Sequence, residues 1–413
     1  MIKTQVRKKD NSIQDWDPSK VLRAINLAAR RTTQPLSSDT AEAIITYVAE
    51  HIEETPVPVT TVHKLVENAL MHFELFDIAR EYITYRQHNQ PDIFRRREVY
   101  RPFEYPDLHK YADAIRQSYW THDEFDFTSD IQDFLVNMSP AEQEATRRTI
   151  LAIAHVEATV KTFWARLGDR LPKPELAEVG ITFGESEVRH ANAYAELLNI
   201  LGLNEDFAAI AKVPVFKQRK QYMDHALSTK DGDDRDYLKS IMYFSLFIEN
   251  VSLFSQFLII MMINQKQGYL KGTSNVIAST SLEEQIHANF GIDIVNKRRI
   301  ESPSWFTEEW SEEIEQFVND SFQAESAIID WIFEQGEIPA VPKSLVLEYI
   351  KSRFNKGLTS AGFTSPFSIN HQLLTETEFF DLQLATTTHV DFFHKRSSNY
   401  TKKAASYDAD SLF

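Results

Sequence analysis

Along most of the chain, apolar residues recur at the three-to-four-residue spacing of amphipathic helices. Asp17-Pro18 supplies a cap and a first-turn proline, after which Val21, Leu22, Ile25 and Ala28 share one face. A second stripe, Ile44, Ile45 and Val48, follows Ser38-Asp39. A third, Val62, Leu65, Val66 and Leu70, follows the Pro56-Val57-Pro58 break with Thr60 or Thr61 as its cap, and a fourth helix is expected from Phe76 to His88. Ahead of these, TQVRKKDNSIQDW reads as two short strands around a turn at Asp10-Asn11. PDIFRRREVYRPFEYP, rich in proline and arginine, reads as a linker. Helices then resume. Ser139-Pro140 with Glu142 opens a long one to about Arg166, and Pro172 and Pro174 open the next. After the polar break KDGDDRD comes a nearly unbroken apolar run, and Trp305 to Phe333 and Pro342 to Phe354 are again amphipathic. The final stretch, RSSNYTKKAASYDADSLF, has no apolar period and reads as a flexible tail. The expected layout is mainly α, with a unit at 1–90, a linker at 91–106, a large helical domain at 107–395 and a tail at 396–413.

Composition narrows the class. The run Ile241 to Ile263 is long enough to cross a bilayer, but Glu249, Asn250 and Gln256 interrupt it and no basic or aromatic flank accompanies it. A helix buried inside a large bundle fits better, so no membrane is expected. A net charge of -16 argues against a nucleic-acid surface. MIKTQVRKKD lacks the apolar core of a secretory signal, and the chain reads as cytoplasmic. There is no cysteine, which excludes disulfides, thiolate metal sites and any thiol mechanism within this chain. Nor is there a GxxxxGK[ST] phosphate loop.

The candidate chemistry centres on FGESEVRHANAY. On a helix, Glu187, His190 and Tyr194 follow one another down one face. A second Glu-x-x-His, Glu284 to His287, lies in SLEEQIH. With 13 histidines about one such pair is expected by chance, so the pairs alone decide nothing. Two further carboxylates do. Glu249 stands in the middle of the apolar run, where an unpaired charge would cost several kcal/mol, and Glu157 lies in ILAIAHVEATVKTFW. Four acids and two histidines on four helices can hold two divalent ions, against the plainer reading of separate salt bridges in a bundle. The oxygen-rich donor set suits iron or manganese better than zinc or copper.

From about residue 107 onward the chain resembles the small, radical-generating subunit of class I ribonucleotide reductase, through Trp120, Glu157, EVRHANAY, IENVSLFSQF, EEQIH and the tail. The resemblance implies a ferritin-like helical bundle with Glu157, Glu187, His190, Glu249, Glu284 and His287 as ligands of two metal ions. It places Tyr194 at the radical tyrosine and Leu253 and Phe257 in the apolar pocket around it. Trp120, Glu283 and Tyr400 fall on the radical-transfer path, and DADSLF on the segment that docks on the large catalytic subunit. Glutamate at 157, where many members have aspartate, favours manganese, with iron the alternative. Glu283 likewise replaces an aspartate, which puts the detailed proton coupling in doubt. In this family the large subunit supplies the thiols, so a cysteine-free chain needs that partner.

The N-terminal segment resembles the ATP-cone, a nucleotide-binding regulatory domain, through VRKKDNS, DWDPSKVLRAI, TVHKLVENALM and IAREYITYR. Arg7, Lys8, Lys9 and Lys20 gather positive charge suited to a triphosphate; alone they would read as a solvated basic edge. By resemblance Val6, Lys8, Lys9, Lys20 and His63 contact the nucleotide, and Asn11 stands where glycine is usual. ATP and dATP are the implied effectors, acting on a homodimer that forms larger assemblies with dATP. Two other functions fit the same residues: a stand-alone dimetal oxidase, which would not need the tail, and a nucleotide-sensing scaffold with a vestigial metal site.

Overall fold

The computed structural model describes residues 4–8, 12–88, 91–160 and 162–389. Tyr400, Lys9, Asn11 and the DADSLF segment lie outside them. The chain divides into two compact units, Met1–Pro91 and Asp92–Phe413.

In the first unit, strands β1 (Gln5–Arg7), β2 (Ile13–Asp15) and β3 (Val57–Pro58) form a sheet in the order β2-β1-β3. β1 runs antiparallel to β2, with Val6 opposite Gln14, and parallel to β3, with Val6 opposite Val57. The Pro56-Val57-Pro58 break is thus partly a strand: pairing with β1 buries Val57. Helices α1 (Pro18–Ala29), α2 (Ser38–Glu50), α3 (Val59–His72) and α4 (Phe76–His88) follow. Asp17 caps α1 by accepting from the Ser19 N–H. Two starts differ from expectation. Ser37, one residue earlier, caps α2 through the Thr40 N–H, and α3 begins at Val59 with no side-chain cap, because the strand runs directly into it. Ile25, Ile44, Val48, Val66, Leu70 and Ile78 are among the side chains of this unit's core.

The second unit is helical: α5 (Pro106–Gln117), α6 (Thr128–Gln132), α7 (Pro140–Val160), α8 (Leu167–Arg170), α9 (Pro174–Ile200), α10 (Asn204–Ala209), α11 (Pro214–Ser228), α12 (Asp234–Tyr243), α13 (Phe254–Gln267), α14 (Lys271–Glu301), α15 (Glu308–Ile332), α16 (Lys343–Ser360), α17 (His371–Leu374) and α18 (Glu378–His389). From Asp92 on, the stretch expected as a linker lies with this unit. Ile93, Phe94 and Tyr105 are in its core, and the Glu104 and Tyr105 N–H groups donate to Glu175 Oε1 at 2.7 and 2.8 Å. The bundle is ferritin-like. At its centre α7 packs on α9, and α14 packs on the stretch between α12 and α13. That stretch, Phe244–Ser252, is a π-helix, wider than the α-helix on either side of it. Small residues make room for it: a Cβ on Gly291 would meet Ser245 Oγ at 1.7 Å, and one on Gly357 would meet Asn250 Nδ2 at 2.8 Å. The apolar run is buried throughout its membrane-length window, as expected for a core helix.

Two local features orient the site helices. α7 ends at Val160 rather than near Arg166, and the chain turns so that Trp164 and Ala165 lie against α9 at Gly180 and Gly184, where a Cβ would fall 2.5 Å from Trp164 O and 2.7 Å from Ala165 Cβ. α14 has no cap of its own after Leu270, which sits at φ 57. Asp130 of α6 caps it instead, accepting from the Gly272 and Thr273 N–H groups at 2.9 and 2.6 Å and from Thr273 Oγ1 at 2.7 Å.

Candidate metal centre and nucleotide pocket

Four helical segments each turn one or two chemical side chains inward: Glu157 from α7, Glu187 and His190 from α9, Glu249 from the π-helical stretch, and Glu284 and His287 from α14. All six are buried. They form two overlapping groups, Glu157–Glu187–His190–Glu284 and Glu187–Glu249–Glu284–His287, and within each the candidate ligand atoms lie within 4.8 Å of one another. Glu187 and Glu284 belong to both. His190 Nδ1 lies 2.8 Å from Glu284 Oε1, 3.7 Å from Glu187 Oε2 and 3.8 Å from Glu157 Oε2. His287 Nδ1 lies 3.1 Å from Glu187 Oε1, 3.5 Å from Glu284 Oε2 and 3.8 Å from Glu249 Oε2.

The donor set fits a pair of cations. Both oxygens of Glu157, Glu187 and Glu284, Oε2 of Glu249 and Nδ1 of each histidine are buried without a properly aligned hydrogen bond. So many orphaned acceptors converging on one point are very costly unless something positive sits among them. Without metal, protons take that role. Burial pushes the Glu157 and Glu249 carboxyls well above the usual range, with neighbouring carboxylates adding to the rise. Burial opposes charge on His190 and His287, yet the surrounding carboxylates raise both well above the ordinary imidazole value. Burial likewise opposes charge on Glu284, but its contacts with Glu249 and both histidines hold it below the normal range.

The groups behind these residues fix their orientation. His190 Nε2 is 2.8 Å from Glu283 Oε2. Glu283 Oε1 accepts from Ser118 Oγ at 2.8 Å and from Arg189 Nη2 at 3.2 Å. His287 Nε2 is 3.0 Å from Ser186 Oγ, and Glu249 Oε1 accepts from Trp164 Nε1 at 2.6 Å. The far nitrogen of each histidine is thus engaged, which leaves Nδ1 for a metal. Trp120 stacks on His190, with centroids 5.7 Å apart and planes 11° apart. Among the described residues its indole N–H has no hydrogen-bond partner, and Arg189 joins it to Glu283 by donating to the Trp120 carbonyl at 3.2 Å. Tyr194 is buried, its hydroxyl lacks an aligned partner, and burial followed by the Glu157 charge raises its pKa well above the phenol value. Leu253 and Phe257 are fully buried. Sequence reasoning missed Ser118, Trp164, Ser186 and Arg189. Ser186 and Arg189 flank the ligands in SEVRH and could have been suspected, whereas no pattern singled out Trp164.

In the first unit, Val6, Lys8, Lys20 and His63 line one cavity together with Trp16 and Tyr82. His63 Nδ1 lies 3.0 Å from the Tyr82 hydroxyl, whose pKa burial pushes up to about 12. Lys8 and Lys20 bring positive charge to this pocket and Asp15 and Asp17 bring negative charge, while Trp16, Tyr82 and a set of aliphatic side chains form the rest of its wall with Gln14 and His63.

Comparison with known proteins gives matches to both units. The family model "Ribonucleotide reductase, small chain" covers residues 97–372, and "ATP cone domain" covers residues 4–101. A probable ribonucleoside-diphosphate reductase small subunit of Invertebrate iridescent virus 3 is 24% identical over 339 residues, spanning 77% of this chain and 88% of the viral one. A putative class I ribonucleotide reductase from Bacillus halodurans superposes with a TM-score of 0.62 at 19% identity, over 67% of this chain and 99% of that one. An R2-like ligand-binding oxidase with a Mn/Fe cofactor superposes at 0.55 and 18% identity, over 63% of this chain and 94% of that one.

Proposed function

Since this chain belongs to the ribonucleotide reductase small-chain family, we propose that it is the radical-generating subunit of a class I ribonucleoside-diphosphate reductase. The single observation behind this reading is the pair of buried, overlapping carboxylate–histidine groups sharing Glu187 and Glu284. Glu157, Glu187, His190, Glu249, Glu284 and His287 would hold two ions, manganese by preference and iron as the alternative. An ion pair there would supply a stored one-electron oxidant after reaction with oxygen or a reduced oxygen species. The protein's own part is conduction and insulation. His190, Glu283 and Trp120 form the inner end of the path, with Glu283 able to exchange a proton with His190 Nε2 and Trp120 lying against the imidazole as the electron donor. Tyr400 in the tail continues the path to a large catalytic subunit, which must carry the thiols this chain lacks. Buried Leu253 and Phe257 keep water from the oxidant.

Residues 1–90 act as the regulatory domain, with ATP and dATP bound by Val6, Lys8, Lys9, Lys20 and His63. dATP shifts a homodimer towards larger assemblies that block docking, which requires the two nucleotides to favour different assemblies. The enzyme works in the cytoplasm. Metal analysis with electron paramagnetic resonance of the activated protein tests the centre: a manganese multiline signal or a tyrosyl signal supports it, and protein without stoichiometric metal refutes it. Deleting residues 396–413 should abolish activity with the large subunit, whereas a stand-alone oxidase would survive. Light scattering with ATP and with dATP tests regulation, and identical masses refute it.

A further inference from the structure

Among the described residues of the second unit, the most completely buried basic side chain of a lysine or arginine is Arg219 on α11. It donates to Glu325 of α15 through Nε and Nη2, at 2.9 and 2.7 Å. Its remaining bonds reach the site helices: Nη1 to the Ala152 carbonyl of α7 at 2.9 Å, and Nη2 to the Ser252 carbonyl at 2.7 Å and Gln256 Oε1 at 3.0 Å. The Tyr222 hydroxyl bridges Glu325 Oε1 and Ser252 Oγ, and Ser252 Oγ also bonds the Phe247 carbonyl at 3.0 Å, five residues back across the wide turn. Glu249 lies between Phe247 and Ser252. A π-helical turn is intrinsically less favourable than an α-helical one and persists where its surroundings hold it. Here those surroundings are a buried polar cluster, with Arg219 and Glu325 balancing in charge, that grips the end of the turn.

Resting on the two-ion reading above, we propose that Arg219, Tyr222 and Glu325 form a latch that positions Glu249 for the ion on the Glu249–His287 side. The latch bonds the Glu249 segment at Ser252 and the following helix at Gln256, whereas among the described residues its hydrogen bond to α7 is at Ala152, more than a turn before Glu157. The two ions therefore depend on it unequally. Arg219 and its partners are positioning residues, since none of them reaches the ion-binding oxygens.

The test is equilibrium Mn2+ titration of the metal-free full-length protein, with free ion counted by electron paramagnetic resonance, alongside backbone amide exchange. R219M/E325M removes the ion pair without stranding a lone buried charge, and Tyr222→Phe removes one hydroxyl and is the milder variant. Both should weaken one Mn2+ of the pair by roughly tenfold or more, the size of effect seen for groups that orient metal ligands, and leave the other nearly unchanged. Amide exchange should quicken across residues 244–256 and not across α9. If both ions bind as in wild type, or weaken equally, the latch is refuted. If R219M/E325M does not fold, the same pattern in Tyr222→Phe decides. Wild-type protein that takes up neither Mn2+ nor, under anaerobic conditions, Fe2+ would overturn the two-ion reading itself, a result distinguishable from failure of the latch alone.

Discussion

Loading the centre should exchange protons for metal. In the metal-free protein the carboxyls of Glu157 and Glu249 and the imidazoles of His190 and His287 are all shifted towards keeping their protons, so binding two cations should release protons, at most four from these groups. With all four in place the exchange leaves the charge of the site unchanged. Each ion should therefore displace up to about two protons, and its apparent affinity should rise by up to about 100-fold per pH unit, or roughly 2.7 kcal/mol. Stability follows the same linkage. Raised imidazole pKa values stabilise the fold fully below 6.5, and that contribution is lost as pH rises through the folded values. Raised carboxyl values act in the same direction above 4.5, because there the folded chain keeps protons the unfolded chain has released. Glu284, held low, acts only below 4.5, whereas His155, whose imidazole burial lowers to about 4, opposes them between about 4 and 6.5. Metal-free protein should thus lose stability as the pH rises above 6.5, whereas metal-loaded protein, whose site keeps no protons, should gain only up to about the unfolded histidine value of 6.5 and then stay level. Calorimetric Mn2+ titration in buffers of different protonation enthalpy measures the proton count. Release of one proton or none per pair of ions would refute the argument.

Other outcomes follow from single contacts. Trp164→Phe removes the indole N–H from Glu249 and leaves a buried acceptor unpaired, so metal-free protein should lose about 1–3 kcal/mol in urea unfolding. Asp130→Ala uncaps α14 and should cost about 2–4 kcal/mol, partly recovered in Asp130→Asn, which keeps one acceptor; thermal melts read both. Gly291→Ala drives a methyl into Ser245 and should lower the melting temperature by several degrees, for a loss of about 1–3 kcal/mol. Lys20→Ala should weaken ATP binding to the N-terminal unit about tenfold by calorimetry while leaving Mn2+ uptake unchanged.

The six carboxylate and histidine residues were legible because helical spacing makes Glu-x-x-His a face, and because Glu249 interrupts a run that has no other reason to carry a charge. The same run hid the π-helical turn: with apolar residues on every side, no polar face reveals a change of period. Arg219 was hidden differently. In PVFKQRKQYMDH it stands among Lys217 and Lys220 and looks solvated, yet it is fully buried, and only the fold brings Glu325 to it. Trp164 meets Glu249 across 85 residues, and Asp130 sat in an acidic turn that gave no sign of reaching α14. The third strand was masked by its flanking prolines, which mark a break locally while the paired Val57 between them is buried in the core.

The two halves of the centre carry matching donors, yet the hydrogen bonds behind their imidazoles differ. His190 leans on a carboxylate that is itself gripped by an arginine, whereas His287 leans on a serine hydroxyl. A carboxylate partner makes an imidazole a stronger electron donor than a neutral hydroxyl does. Two chemically identical ions placed here would consequently have unequal reduction potentials, and the one beside His190 would be the easier to oxidise. The asymmetry would give such a centre a direction, with its electron-rich end on the side where Trp120 stacks against His190.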